Sequence, residues 1–214
     1  KMNKIIGVFV VAFILIGLVL IFNNDSLAMK KGDDLMADMP DGYPKAYFAG
    51  GCFWCTEYEY RAIDGVLYTR VGYMGGKLEN PTYRDITSGK TGHAEVIEVT
   101  FNPEKVSYDS LVEYFLTNIH DPTQLNRQGV DVGTQYRSAI FPMNEEQETT
   151  AKSVIARVEA EKIYSKPIVT TIEPMATFWL AEEYHQQYYD KYKEETGTTH
   201  IRVILKNKKK AKRL

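Results

Sequence analysis

Ala46-Tyr47-Phe48-Ala49 is a short apolar run that stops at Gly50-Gly51, the pattern of a buried strand closed by a turn. Residues 52–63 change to helical spacing, with Phe53, Tyr60 and Ile63 available to one face. Residues 66–73 alternate like a strand and run into a Gly75-Gly76 turn. The alternation is cleaner over 93–101. Ala94, Val96 and Glu98 fall on one side and Glu95, Ile97, Val99 and Phe101 on the other, before Asn102-Pro103 ends the run. Leu111, Tyr114, Phe115 and Leu116 at helical spacing predict a helix over 107–119, opened by a Ser-Tyr-Asp-Ser cap. A glycine-containing loop leads to a predicted strand at 136–141. The next helix, 144–162, has Asn144 as its cap and Glu145 and Glu146 in the first turn. A strand at 167–172, a helix at 178–192 and a last strand at 201–205 complete the set. Several neighbouring strands are hairpin-like, so the pattern predicts an α+β domain rather than a doubly wound fold. Its mixed sheet is covered by helices in a two-layer sandwich.

The globular domain implied by this pattern covers residues 46–205. Before it, residues 5–22 are unbroken apolar residues and glycine, enough to span about 27 Å as a helix. Lys1 and Lys4 flank the near side and Asp25 is the first charge beyond, so the positive-inside rule sets everything after Phe22 outside the cytoplasm. The segment 1–22 reads as a transmembrane anchor. Ser26-Leu27-Ala28 is a small-x-small site, so cleavage of a signal and release from near Met29 is the alternative. Residues 23–45, with Gly32, Pro40, Gly42 and Pro44, read as a flexible tether. The Lys-rich tail at 206–214 is a solvated end or a patch drawn to anionic lipid.

Composition narrows the class. The chain has 214 residues, 44% hydrophobic and 25% charged, and a net charge of −2, which argues against a general nucleic-acid binder. Two cysteines cannot build a multi-bridge scaffold, so the fold stands on its own core. Both lie in Gly50-Gly51-Cys52-Phe53-Trp54-Cys55. Glycines between a strand and a helix let the backbone turn sharply and leave Cys52 at the helix N-terminus, where unpaired N–H groups favour a thiolate. Cys55 follows one turn later on the same side, in disulfide-capable geometry. Packing as two small hydrophobes is the bland alternative. A zinc half-site needs further ligands, and His93, His120, His185 and His200 do not pair at ligand spacing. A papain-type hydrolase wants a different surround. A general thiol–disulfide oxidoreductase shares the two-residue spacing but leaves the later motifs unexplained.

Those motifs run in order: Gly51-Cys52-Phe53-Trp54, Gly72-Tyr73 with Gly75-Gly76, Asn80-Pro81-Thr82-Tyr83 and Thr91-Gly92-His93-Ala94-Glu95-Val96. They continue through His120-Asp121-Pro122-Thr123, then NRQGVDVGTQYRS at 126–138, then Ala181-Glu182-Glu183-Tyr184-His185-Gln186. The ordered set resembles the peptide methionine sulfoxide reductases of the A type, over residues 46–195. The resemblance implies reduction of methionine S-sulfoxide without metal or organic cofactor. Cys52 matches the nucleophile that becomes a sulfenic acid, and Glu95 matches the acid that protonates the sulfoxide oxygen. Tyr83 and Tyr136 match the two phenols that hydrogen-bond that oxygen, and Asp131 matches an orienting acid. Phe53 and Trp54 match the aromatic walls around the substrate's S-methyl group. His93, His120 and His185 are assigned structural duties. The family often carries its recycling cysteine near the C-terminus, and this chain has none there. Cys55 is therefore the intramolecular candidate to form a disulfide with Cys52 for a thioredoxin-like reductant. Oxidised proteins and peptides are the implied substrates.

Overall fold

The computed structural model describes residues 41–203. The proposed spanning run 5–22, most of the tether and the basic tail lie outside them. Among the described residues no helix is long and apolar enough to cross a membrane.

The chain enters β1 (Lys45–Gly50), turns into α1 (Phe53–Arg61) and returns as β2 (Val66–Met74). A short helix α2 (Tyr83–Thr87) precedes β3 (Ala94–Phe101). Helix α3 (Tyr108–Tyr114) continues as a π-helical turn, Phe115–Ile119. A small hairpin of β4 (Arg127–Gln128) and β5 (Asp131–Val132) and a 3₁₀ turn, Thr134–Tyr136, lead to β6 (Ser138–Ile140). Then come α4 (Glu145–Ala160), β7 (Thr171–Ile172), β8 (Trp179–Leu180), a 3₁₀ turn at Glu183–His185 and α5 (Tyr188–Thr196). The main sheet has the order β7-β6-β1-β3-β2-β8. Only the β6–β7 pair among these is parallel. The sheet is therefore mixed and the architecture α+β, as the pattern predicts.

The period-2 geometry of the central strands divides their side chains between the two faces of the sheet. Phe48, Ile97, Val99 and Ile140 pack with Tyr60, Leu111, Phe115, Val154 and Val158, so α1, α3 and α4 cover one face. Tyr47, Ala49, Ala94, Val96 and Phe141 form a cluster on the opposite face, closed by Ala176 and Phe178, and Val71 and Tyr73 of β2 join Phe53 and Ile86 in a third. Every residue of β3 is buried. Each fully buried valine, isoleucine or phenylalanine contributes roughly 1.5–3 kcal/mol relative to exposure, and β3 alone buries Val96, Ile97, Val99 and Phe101. Helix caps fall where expected: Asn144 accepts from the Gln147 N–H, and Ser107 from the Ser110 N–H.

The C-terminal third differs from expectation. Residues 178–192 are not one helix: Trp179–Leu180 pairs with β2, and the amide of Gln186 bonds both the N–H and the carbonyl of Val71 at 2.9 Å. That side chain completes the edge of β2 beyond β8, a tertiary demand that overrides the helical spacing. Residues 201–203 are helical, not the start of a strand. The strand predicted at 167–172 is confined to Thr171–Ile172, and that at 136–141 to Ser138–Ile140, because a 3₁₀ turn holds Tyr136. Helix α2 was not expected; Thr82 and Asp85 form its capping box.

Candidate active site

The turn from β1 into α1 is possible only with glycine. Gly51 has φ +86°, and a Cβ there would stand 2.6 Å from Cβ of Gln128. At Gly50 a Cβ would meet the Phe115 ring at 2.7 Å. Cys52 thereby becomes the N-cap of α1, with its carbonyl receiving the Cys55 N–H at 3.0 Å. Both cysteines are in the reduced, thiol form and partly exposed.

Glu95 lies on β3 with the parity of Ile97 and Val99, so it points to the helix-bearing face and meets the start of α1. Its Oε2 accepts the backbone N–H of Phe53 at 3.0 Å. With only 2% of its surface exposed, the carboxyl is pushed up to about 8. Burial is the main cause, opposed by the Phe53 N–H and reinforced by the charges of Asp131 and Cys55; Arg202 pulls the other way. The alternating pattern alone favours a solvent-facing carboxylate here; both faces of β3 are covered, and the carboxyl retains its proton at neutral pH.

The thiol of Cys52 departs from expectation. The Trp54 N–H does bond its sulfur and favours the anion, as a helix N-terminus should. The hydrogen bond with Cys55, burial and the nearby Cys55 and Glu95 charges outweigh it and push the thiol above its ordinary range. Cys52 therefore keeps its proton at neutral pH.

Tyr83 opens α2 and Tyr136 ends the 3₁₀ turn after β5. Their hydroxyls bond each other, and both phenols are pushed up, first by burial and then by the charge of Glu95. Tyr83 is held through its backbone N–H, which donates to Glu182 at 2.8 Å; the other oxygen of Glu182 accepts from the Tyr73 hydroxyl. Asp131, on the β4–β5 hairpin, forms a two-pronged ion pair with Arg202 at 3.1 Å for each contact. Phe53 is buried against Val71, Tyr73 and Ile86, while Trp54 is half-buried and stacks on Tyr188 at 3.8 Å. The Trp54 indole donates to Nδ1 of His185 at 3.0 Å. Since an indole only donates, His185 is neutral there, in keeping with burial pushing it down to about 4. His185 also lies against the rings of Phe53 and Tyr83.

Cys52, Glu95, Tyr83, Tyr136, Asp131, Phe53, Trp54 and Cys55 are thus joined by direct contacts or felt charges in one place. Arg202, Glu182 and Tyr189, whose hydroxyl lies 3.3 Å from Cys55 Sγ, belong to the same neighbourhood and had no assigned role. No sequence signal marks Arg202 or Tyr189. Glu182 sits in a motif, but only the fold aims it at Tyr83.

The profile of a family described as peptide methionine sulfoxide reductase matches residues 44–214. The chain belongs to this family. Over 164 residues it is 49% identical to the peptide methionine sulfoxide reductase MsrA of Deinococcus radiodurans, covering 77% of this chain and 78% of that one. The crystal structure of reduced Mxr1 from Saccharomyces cerevisiae matches with a TM-score of 0.66 and 35% identity, over 72% of this chain and 87% of Mxr1. The structure of Mxr1 in complex with Trx2 matches with a TM-score of 0.50 and 27% identity, over 70% and 87% of the two chains.

Proposed function

We propose that the site reduces peptide-bound and free methionine S-sulfoxide to methionine, with Cys52 as nucleophile and Glu95 as general acid. The observation that carries these roles is the Phe53 N–H to Glu95 bond. It sets a buried, protonated carboxyl beside the residue that bears the sulfur. The sulfoxide oxygen accepts from the phenols of Tyr83 and Tyr136 and from Glu95, so its sulfur becomes electrophilic. The Cys52 sulfur attacks, the substrate's S–O bond is lost, and the oxygen remains on Cys52 as a sulfenic acid. Substrate sulfur gains the two electrons that Cys52 gives up. An ionised Glu95 raises the affinity of Cys52 for its proton, so thiolate and neutral carboxyl belong to one state of the site.

Phe53 and Trp54 enclose the S-methyl group and thereby select the epimer. Asp131, neutralised by Arg202, orients the pocket rather than reacting. Cys55 then condenses with the sulfenic acid, and a thioredoxin-like protein reduces the disulfide. The yeast relative's complex with Trx2 supports that choice of reductant. The reading extends to residues 5–22 as a membrane anchor or cleaved signal, with 23–45 as tether and the catalytic domain outside the cytoplasm. The apolar run and its flanking Lys1 and Lys4 support it.

The test is reduction of the two separated epimers of a methionine sulfoxide peptide with dithiothreitol. Turnover of the S form alone, lost in Cys52→Ser and severely slowed in Glu95→Gln, is expected. Near wild-type turnover by Glu95→Gln removes the acid role.

A further inference from the structure

Helix α5 is docked on α1 beside the two thiols. The Trp54 indole stacks on Tyr188, Arg61 pairs with Asp190 at 3.0 Å, and the Gln187 N–H donates to Glu57 at 2.7 Å. Gln187 itself takes up a left-handed conformation, φ 52°, at the start of α5. This seating carries Tyr189 inward until only 4% of it is exposed, with edge contacts to Trp54 and Tyr58 and a face against His200. Its hydroxyl ends 3.3 Å from Cys55 Sγ. The segment that follows α5, helical over residues 201–203, brings Arg202 to Asp131, close enough for its charge to be felt by both sulfurs.

We propose that Tyr189 is a positioning residue for the second half of the cycle, donating its hydroxyl to the Cys55 sulfur as that sulfur becomes the attacking thiolate, with Arg202 supplying the compensating charge. The inference rests on Cys55 being the recycling thiol. The step balances as follows. Cys55 loses its proton, its sulfur bonds to Cys52 Sγ, and the S–O bond of the sulfenic acid breaks. The hydroxyl leaves with that proton as water, Cys55 is oxidised, and the sulfenic sulfur of Cys52 is reduced to the disulfide level. Around Cys55 the charged and titratable groups are Cys52 on α1, Glu95 on β3, Tyr189 on α5 and Arg202 after it. Asp131 acts through Arg202, and His200 against Tyr189. Cys52 and Glu95 disfavour charge on Cys55; Tyr189 and Arg202 favour it. Burial and the Cys55 charge hold the Tyr189 phenol protonated, so it has a proton to donate once the Cys55 sulfur is a thiolate.

Tyr189→Phe removes the hydroxyl and keeps the ring. With a methionine S-sulfoxide peptide in single turnover, the variant should release methionine at the wild-type rate. Formation of the Cys52–Cys55 disulfide, followed by alkylation and intact mass, should slow about tenfold, the effect of losing one hydrogen bond to a charged group. Its pH midpoint should move upward, which a purely structural contact would not produce. Disulfide formation at the wild-type rate and midpoint overturns the proposal while leaving Cys55 as the recycling thiol. A wild-type enzyme that forms no disulfide after turnover overturns the recycling reading itself, and this inference with it.

Discussion

At the scale of single residues, the site turns on one proton-bearing carboxyl and one proton-bearing thiol that constrain each other. Above about pH 8, where Glu95 ionises, its charge adds to the Cys55 bond and burial in holding the proton on Cys52, so removing that carboxyl should free the thiol in this range even as it removes the acid. In a Cys55→Ser background, Glu95→Gln should move alkylation of Cys52 by iodoacetamide to lower pH. The same change should slow sulfoxide reduction on the order of a hundredfold or more. An unmoved alkylation profile means that the Glu95 charge does not reach the sulfur. The phenols offer a second test. Tyr83 and Tyr136 bond each other, so either can still donate when its partner is gone. Tyr83→Phe or Tyr136→Phe should each lower kcat/KM less than the double variant does, and single variants that each lose as much as the double would mean that neither phenol can stand in for the other. The legibility of these residues is uneven. Cys52, Glu95, Tyr83, Tyr136 and Asp131 stand in motifs whose order pointed to them, although alternation alone makes Glu95 a surface carboxylate. Arg202 reaches Asp131 across 71 positions and Tyr189 reaches Cys55 across 134, distances at which local spacing carries no information.

At the scale of elements, the junction of β1 and α1 sets the aim of the nucleophile. The positive φ of Gly51 and the approach of Gln128 are independent demands for the absence of a side chain. Gly51→Ala should cost about 1–3 kcal/mol from backbone strain, read by urea denaturation. It should also push away the β4–β5 hairpin that carries Asp131, so kcat/KM should fall further than the lost stability explains. A variant with wild-type kcat/KM shows that the hairpin tolerates displacement. Elements built from local contacts were readable: β1, β2, β3 and α4 lie within a few residues of their predicted bounds, because apolar period and capping residues decide them. The stretch after Phe178 was not. Its aromatic spacing fits a helix, yet the open edge of β2 claims Trp179–Leu180 and the Gln186 amide for its own hydrogen bonds. An edge needing partners on a strand a hundred residues earlier outweighs helical propensity in such a segment.

At the scale of the whole molecule, the buried acids make folding stability depend on pH in a direction unusual for carboxylates. Glu57 lies under the α1–α5 contact, accepting from the Gln187 N–H and from Thr69, and burial pushes it up to about 7 despite those bonds and Arg61. Glu95 stands at about 8. In the unfolded chain both release their protons near the ordinary value of 4.5. Between there and pH 7 to 8 the folded protein therefore holds protons that the unfolded chain has given up. Stability must fall as pH rises through that window. His185 acts oppositely: burial lowers it to about 4, so between 4 and its ordinary 6.5 the unfolded chain binds the extra proton and stability rises with pH. The two trends overlap below 6.5, where they partly cancel, and above it the carboxyl trend stands alone. Urea unfolding of the wild type should thus show stability declining from about pH 6.5 to 8. Glu57→Gln should remove the part of the slope below about 7, and Glu95→Gln the part that persists to about 8. At pH 8 Glu95→Gln should be the more stable protein while being the poorer enzyme. A wild-type slope that survives in the double variant would mean that neither carboxyl is held protonated by the fold.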